Sequence, residues 1–177
     1  DNDMKVPARI AASELRSWTK PVLGAVLLFF ALVPGAAAQT DADRDAVLAT
    51  VQTFFDTMTA RDVEGARRVM VPEGRFFAME MRKPAAAAQS FTGEEYFARL
   101  QRSLRTNRER IWNPEVRVHG SIATLWAPYD FWTDGKFSHC GVDAFDLVKT
   151  AEGWKISGGA FTMESACEPS PLGPLKQ

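Results

Sequence analysis

Three side chains in the last third of the sequence could move a proton: Asp130, His139 and Asp143. A carboxylate bonded to an imidazole orients the ring and raises its pKa towards neutrality. A second carboxylate beside them could abstract or shuttle a proton on a bound apolar molecule. A hairpin would bring them together. Asp134-Gly135 separates two apolar, β-rich runs, 121–133 and 136–149, and Asp-Gly supplies the positive φ angles of a two-residue loop. Counting outward puts Thr133 opposite Lys136, Asp130 opposite His139 and Trp126 opposite Asp143. A second loop, Thr150 to Gly153, leads into a third run, 154–163, pairing Leu147 with Ile156 and Phe145 with Gly158.

Alternation along the strands then gathers Trp126, Asp130, His139, Asp143, Phe145 and Leu147 on one surface, apolar at one end and polar at the other. Such a surface describes a core that opens into a pocket. The opposite parity remains as an alternative, because a one-residue slip exchanges the faces. In the first parity, Leu125, Tyr129, Phe131, Val142 and Phe161 form an outer face too apolar to stay wet, where a second copy would pack to give a homodimer. The plainer reading of Asp130 and His139 is a structural pair closing off a sheet edge. Metal chemistry has weak support, since His119 falls on another strand and one His with two Asp is a poor ligand set. No nucleophile elbow or phosphate loop is present, and neither metal nor cofactor is expected.

Rings are the second pointer. Phe55, Tyr96, Trp126 and Phe145 are the candidates to line a site for a small apolar or aromatic molecule, while most other aromatics are core or dimer contacts.

The elements that must hold these residues begin with an amphipathic helix over 42–60. Val47, Val51, Phe54, Phe55 and Met58 recur at helical spacing, with Asp41 or Asp43 as N-cap. A short helix over 63–70 ends at Pro72, a strand follows over 74–81, and Ser90-Phe91 is a short returning strand. Thr92 with Glu95 three residues on has capping-box spacing, predicting a helix over 93–105. Arg99, Arg102, Arg105, Arg108 and Arg110 follow at helical spacing, but Glu94, Glu95 and Glu109 interleave with them, so a solvated face is expected rather than a phosphate or nucleic-acid site. Residues 111–119 re-enter the sheet.

With 177 residues, 46% hydrophobic content and a net charge of −1, the chain has the length and composition of one cored domain and no polyelectrolyte signal for nucleic acid. Residues 1–38 read as a signal peptide. Basic residues (Lys5, Arg9, Arg16, Lys20) precede the apolar run 21–33, and Ala36-Ala37-Ala38 supplies a cleavage-like site; cleavage after Ala38 would leave a periplasmic or secreted protein off the membrane. An uncleaved anchor is the alternative. The domain then spans 39–166, with a Pro-rich tail over 167–177. Cys140 and Cys167 are the only cysteines, and an oxidising compartment allows them to pair. The hairpin register sets Cys140 across from Met163, leaving Cys167 about 13 Å farther along an extended strand. A bridge therefore requires the chain after Met163 to bulge or fold back.

The order of helices and strands resembles the nuclear transport factor two-like superfamily, which includes ketosteroid isomerase and polyketide cyclases. The resemblance is carried by 44-RDAVLATVQTFFDTMTARDVEGARRVM-70, 92-TGEEYFARL-100 and 138-SHCGVDAFDLVKTAEGWKI-156. The last stretch is similar to the bacterial group named for lumazine binding, in its His-Cys-Gly and its Gly-Trp-Lys-Ile ending. The resemblance covers 42–163 and implies an α+β fold in which a curved antiparallel sheet wraps around the N-terminal helices as a cone, leaving an apolar pocket at its open end. It fixes no chemistry, because this fold hosts isomerases, dehydratases, binding proteins and inert dimerising modules alike.

Overall fold

The computed structural model describes residues 36–83 and 87–175, with side chains described from residue 41. The expected signal peptide lies, as far as residue 35, outside the described residues. Among those described, no helix is long and apolar enough to cross a membrane.

Helix α1 (Ala36–Ala60) buries Val47, Val51, Phe54, Phe55 and Met58, the stripe its spacing predicts. Because the helix starts before Asp43, that residue is not an N-cap. Its carboxylate instead accepts hydrogen bonds from Lys149 Nζ at 2.5 Å and Trp154 Nε1 at 3.3 Å, tying α1 to the sheet. Arg61, at φ 57°, reverses the chain, and Asp62 caps α2 (Val63–Val69) by accepting from the Gly65 amide at 2.8 Å. Strands β1 (Met70–Glu80) and β2 (Ala87–Thr92) form a hairpin that ends at the capping box. There the Glu95 amide donates to Thr92 Oγ1 and the Thr92 amide to Glu95 Oε2, opening α3 (Gly93–Arg102).

Helix α3 stops short of residue 105. Ser103 turns extended, and the Asp134 carboxylate accepts from the Thr106 amide (3.0 Å) while the Asp134 amide donates to the Thr106 carbonyl (2.8 Å). These bonds start β3 (Asn107–Ile111), so the arginines expected on one helical face are divided among a helix end, the turn after it and a strand. A break at Trp112-Asn113-Pro114 separates β3 from β4 (Glu115–His119), and both pair with β5 (Ile122–Thr133). The sheet is completed by β6 (Lys136–Thr150) and β7 (Gly153–Met163), in the order β2-β1-β7-β6-β5-β3. Neighbours are antiparallel except β1 and β7, which run parallel. Three helices packed into a curved, mostly antiparallel sheet make the expected α+β cone.

The hairpin turn is as predicted, with Asp134 and Gly135 both at positive φ. The register beyond it is not. Thr133 pairs with Lys136 and Trp132 with Phe137, but Phe131 pairs with His139: Ser138 is an extra residue on β6, a β-bulge. From there every partner shifts by one, so Asp130 faces Cys140 and Asp143 faces Ala127. A second bulge at Ser157 sets Phe145 opposite Gly159 rather than Gly158. Each bulge bends its strand and adds twist, which curls the sheet around α1.

Parity is the consequence. On β6 the expected residues do face inward, but on β5 the two faces are exchanged. Tyr129 is 1% exposed, while Trp126 is 55% exposed on the outer surface. The face expected to meet a second copy is therefore wrongly composed, since Leu125, Tyr129, Phe131 and Phe161 point into the cone. Fully buried Val51, Phe55, Phe97, Leu125, Leu147 and Ile156 form the closed end of the core, each such side chain contributing about 1.5–3 kcal/mol from burial.

Candidate functional site

At the open end, α1, α3 and the sheet do not meet. They leave a cavity of about 370 Å³, walled by Phe54 and Met58 of α1, Tyr96 and Leu100 of α3, Phe76 and Phe91 of the β1/β2 hairpin, and Tyr129, Phe131, Phe145 and Phe161 of the central strands. Each ring is aimed inward by strand alternation or by the helical stripe. Phe76 stacks on Phe91 with centroids 5.5 Å apart, and Phe145 meets Phe54 edge-on at 6.0 Å.

Two carboxyls enter this apolar space. Asp143 is 1% exposed and is hydrogen-bonded to Glu109, which reaches it from β3. Two carboxyl groups can share such a bond only if one proton lies between them. Burial raises the Asp143 pKa to about 7 against the opposing effect of the bond to Glu109. Burial and the neighbouring Asp143 charge push Glu109 well above the usual carboxylate range. The two therefore titrate as a coupled pair rather than as separate acids. Asp143 Oδ2 and the Tyr96 hydroxyl are both buried there without a hydrogen-bond partner. Burial, with Glu109 nearby, raises the Tyr96 pKa, which keeps the phenol a donor. Tyr129, by contrast, is satisfied. Its hydroxyl donates to the Thr162 carbonyl at 2.6 Å, a close approach that Gly141 permits, since a Cβ there would sit 2.2 Å from that oxygen.

His139 lines the cavity too, stacked on Phe131 at 4.7 Å, with Nδ1 3.0 Å from Ser138 Oγ. It has no aspartate partner. Burial, with Arg82 nearby, lowers its pKa to about 4, the reverse of the shift expected from an Asp–His dyad. Asp130 is on the other face of β5, 3% exposed, where Arg110 Nε donates to it at 2.9 Å and Arg110 Nη2 also donates to the Gly173 carbonyl at 2.7 Å. The bulge at Ser138 is what separates the two. The structure thus brings Asp143, His139, Tyr96 and Phe145 into one cavity, leaves Phe55 in the closed core, and puts Asp130 and Trp126 behind the sheet.

The tail does fold back. Glu164 pairs with Cys140 in an isolated bridge, and three residues on Cys167 closes a disulfide to Cys140 with Cα atoms 6.2 Å apart. Glu109 is the residue that sequence reasoning missed, because it was read as one acid on a helical face. No alternation marks the strand, because Asn107, Arg108, Glu109 and Arg110 are all polar. Among the described residues, no group of three or more His, Cys, Asp or Glu is arranged to hold a metal ion.

A protein-family profile described as "Putative lumazine-binding" matches residues 42–162, well over half of the chain. The chain belongs to this family. Solved structures agree on the fold of this lumazine-binding-type domain. A putative dehydratase of the NTF2-like family from Streptomyces avermitilis superposes with a TM-score of 0.55 at 16% identity, over 71% of this chain and 99% of that one. A Nostoc punctiforme protein with a cystatin-like fold gives 0.57 at 15% identity, over 75% and 97%. The beta subunit of a putative aromatic-ring-hydroxylating dioxygenase from Novosphingobium aromaticivorans gives 0.57 at 12%, over 78% and 99%. At such identities the likeness is one of fold. Among curated proteins, no sequence matches the chain. Family and cavity together fit a small-molecule-binding domain.

Proposed function

We propose that this is an exported domain that binds a small, largely apolar molecule in the ring-lined cavity and grips one polar group of it with Tyr96 and Asp143. The observation that carries the reading is the pair of unpartnered polar atoms, Tyr96 Oη and Asp143 Oδ2, buried in the same apolar space. Each such group costs about 1–3 kcal/mol when left unsatisfied, and a ligand carbonyl or hydroxyl would offset both. The family's printed description favours a small-molecule ligand of this kind. Export rests on the basic and apolar pattern of residues 5–38, and the Cys140–Cys167 disulfide supports an oxidising compartment.

The test is native mass spectrometry of the domain after incubation with a metabolite extract. A retained small molecule, weakened in Tyr96→Phe and Asp143→Asn variants that keep the wild-type circular dichroism, is the expected result. A domain that retains nothing, or variants that retain the molecule equally well, would remove the reading.

A second reading, an isomerase or dehydratase type of enzyme, is favoured by the Glu109–Asp143 pair. Its ionised form could take a proton from a carbon beside a carbonyl and return it elsewhere on the same molecule, with Tyr96 donating to the carbonyl oxygen. Incubating the retained molecule with the domain separates the two readings. An unchanged molecule means a binder, and a product of rearranged mass or retention time means an enzyme.

A further inference from the structure

We propose that the cavity selects a carboxylic acid, with its carboxylate held by Arg99 at the mouth and a neutral carbonyl or hydroxyl at the far end against Tyr96 and Asp143. This deepens the small-molecule reading and rests on it.

The cavity has two chemically opposite ends. Along α3, Tyr96, Arg99, Leu100 and Ser103 share the cavity-facing stripe, the i, i+3, i+4, i+7 spacing of one helical face. At 1.5 Å per residue, the stripe runs about 10 Å from Tyr96 to Ser103. The Tyr96 end holds the buried hydroxyl and lies near the acid pair. Arg99 is exposed, as is Gln89, which also lines the cavity, so this side is the mouth.

Arg99 is placed rather than loose. Its guanidinium lies 4.7 Å over the Phe91 ring, and Phe91 is itself stacked on Phe76 and edge-on to Phe161. It takes part in none of the ion pairs among the described residues, in contrast to Arg67, Arg82 and Arg110, each bonded to a carboxylate. Around it the lining is neutral: Ser103, Gln89, and Asn107, whose Oδ1 accepts from Thr133 and leaves its amide hydrogens to donate. A cation with neutral donors and no carboxylate suits one planar anion, which a guanidinium grips with two parallel bonds. The far end excludes that anion, because Glu109 and Asp143 already compete for a proton. An acid would therefore enter neutral end first and stop with its charge at Arg99.

The experiment is calorimetric titration, at mildly acidic pH, of ω-(4-hydroxyphenyl)alkanoic acids of increasing chain length, whose phenol supplies the neutral hydroxyl, against their primary amides. At the best-fitting length the acid binds about five- to tenfold more tightly than the amide, the worth of one part-exposed charge-assisted contact. Added salt shrinks this ratio. Arg99→Gln brings it to about one through loss of acid affinity, Arg99→Lys keeps part of it, and Tyr96→Phe weakens both compounds while preserving the ratio. Equal affinity of acid and amide in the wild type, or an undiminished ratio in Arg99→Gln, overturns the proposal and leaves the pocket reading standing. No binding of either compound at any length overturns both.

Discussion

Asp130 and Asp143 sit on adjacent strands, both almost wholly buried, and only one of them is compensated. Behind the sheet, Asp130 meets Arg110 in a paired contact, and the same guanidinium reaches on to the Gly173 carbonyl, closing the tail against the strand. Inside the cone, Asp143 meets a second acid and an open space, and one of its oxygens is bonded to nothing. Burying a charge is tolerable when a partner and hydrogen bonds offset the lost hydration. The first site obeys that rule and reads as architecture. The second breaks it, and an uncompensated group in a cavity is where function is to be sought.

If that contrast is right, the two sites answer mutation with opposite signs. Arg110→Ala strands Asp130 without its cation and should cost about 3–5 kcal/mol in urea unfolding; a cost under about 1 kcal/mol would mean that the pair is not structural. Next in size is the neighbouring staple. Replacing Cys140 and Cys167 by serine reopens a loop of sequence separation 27, an expected loss of about 3 kcal/mol measured against the oxidised wild type. A double variant as stable as the parent would show that the contacts of Arg110 with Asp130 and Gly173 hold the tail unaided.

Local signals in the sequence carried most of this fold. Thr92 and Glu95 announce α3, Asp134-Gly135 announces the central hairpin, and the Val47-to-Met58 stripe announces α1, each through chemistry confined to a few residues. The site was less legible because parity in a sheet is not local. One extra residue, Ser138, has no compositional mark, yet it moves Asp130 out of the cone and Tyr129 into it. Glu109 was hidden for a related reason. What ends α3 and starts β3 is the grip of Asp134 on Thr106, a contact 28 residues away in sequence that no pattern near residue 106 reveals.

A smaller effect, of opposite sign to Arg110→Ala, is expected from Asp143→Asn. The Asp143 pKa rises from 3.8 to about 7 on folding, so the folded state favours the protonated form. The stability this group contributes is fully present below 3.8 and lost as pH climbs through 7. The amide carries no charge, and its NH2 can donate to Glu109. Chemical denaturation above pH 7 should therefore show the variant more stable than wild type by about 2 kcal/mol, at the expense of ligand retention. A variant less stable than the parent there would place Asp143 with Asp130 among the compensated charges.

His139 gives the smallest effect and the finest test, because its slope opposes that of Asp143 over much of the same range. Its pKa falls from 6.5 to about 4 on folding, so the folded state favours the neutral ring. That contribution is complete above 6.5 and drains away as pH falls through 4, amounting to about 1 kcal/mol once the partial access of solvent is allowed for. Between about 4 and 6.5, rising pH thus strengthens the fold through His139 and weakens it through Asp143. The wild type should show a flatter stability profile across that interval than either single variant. His139→Gln unmasks a decline with rising pH, and Asp143→Asn unmasks a rise. If His139→Gln instead follows the wild-type curve point for point, the imidazole titrates alike in the folded and unfolded chain, and the apolar stacking against Phe131 does not govern its charge.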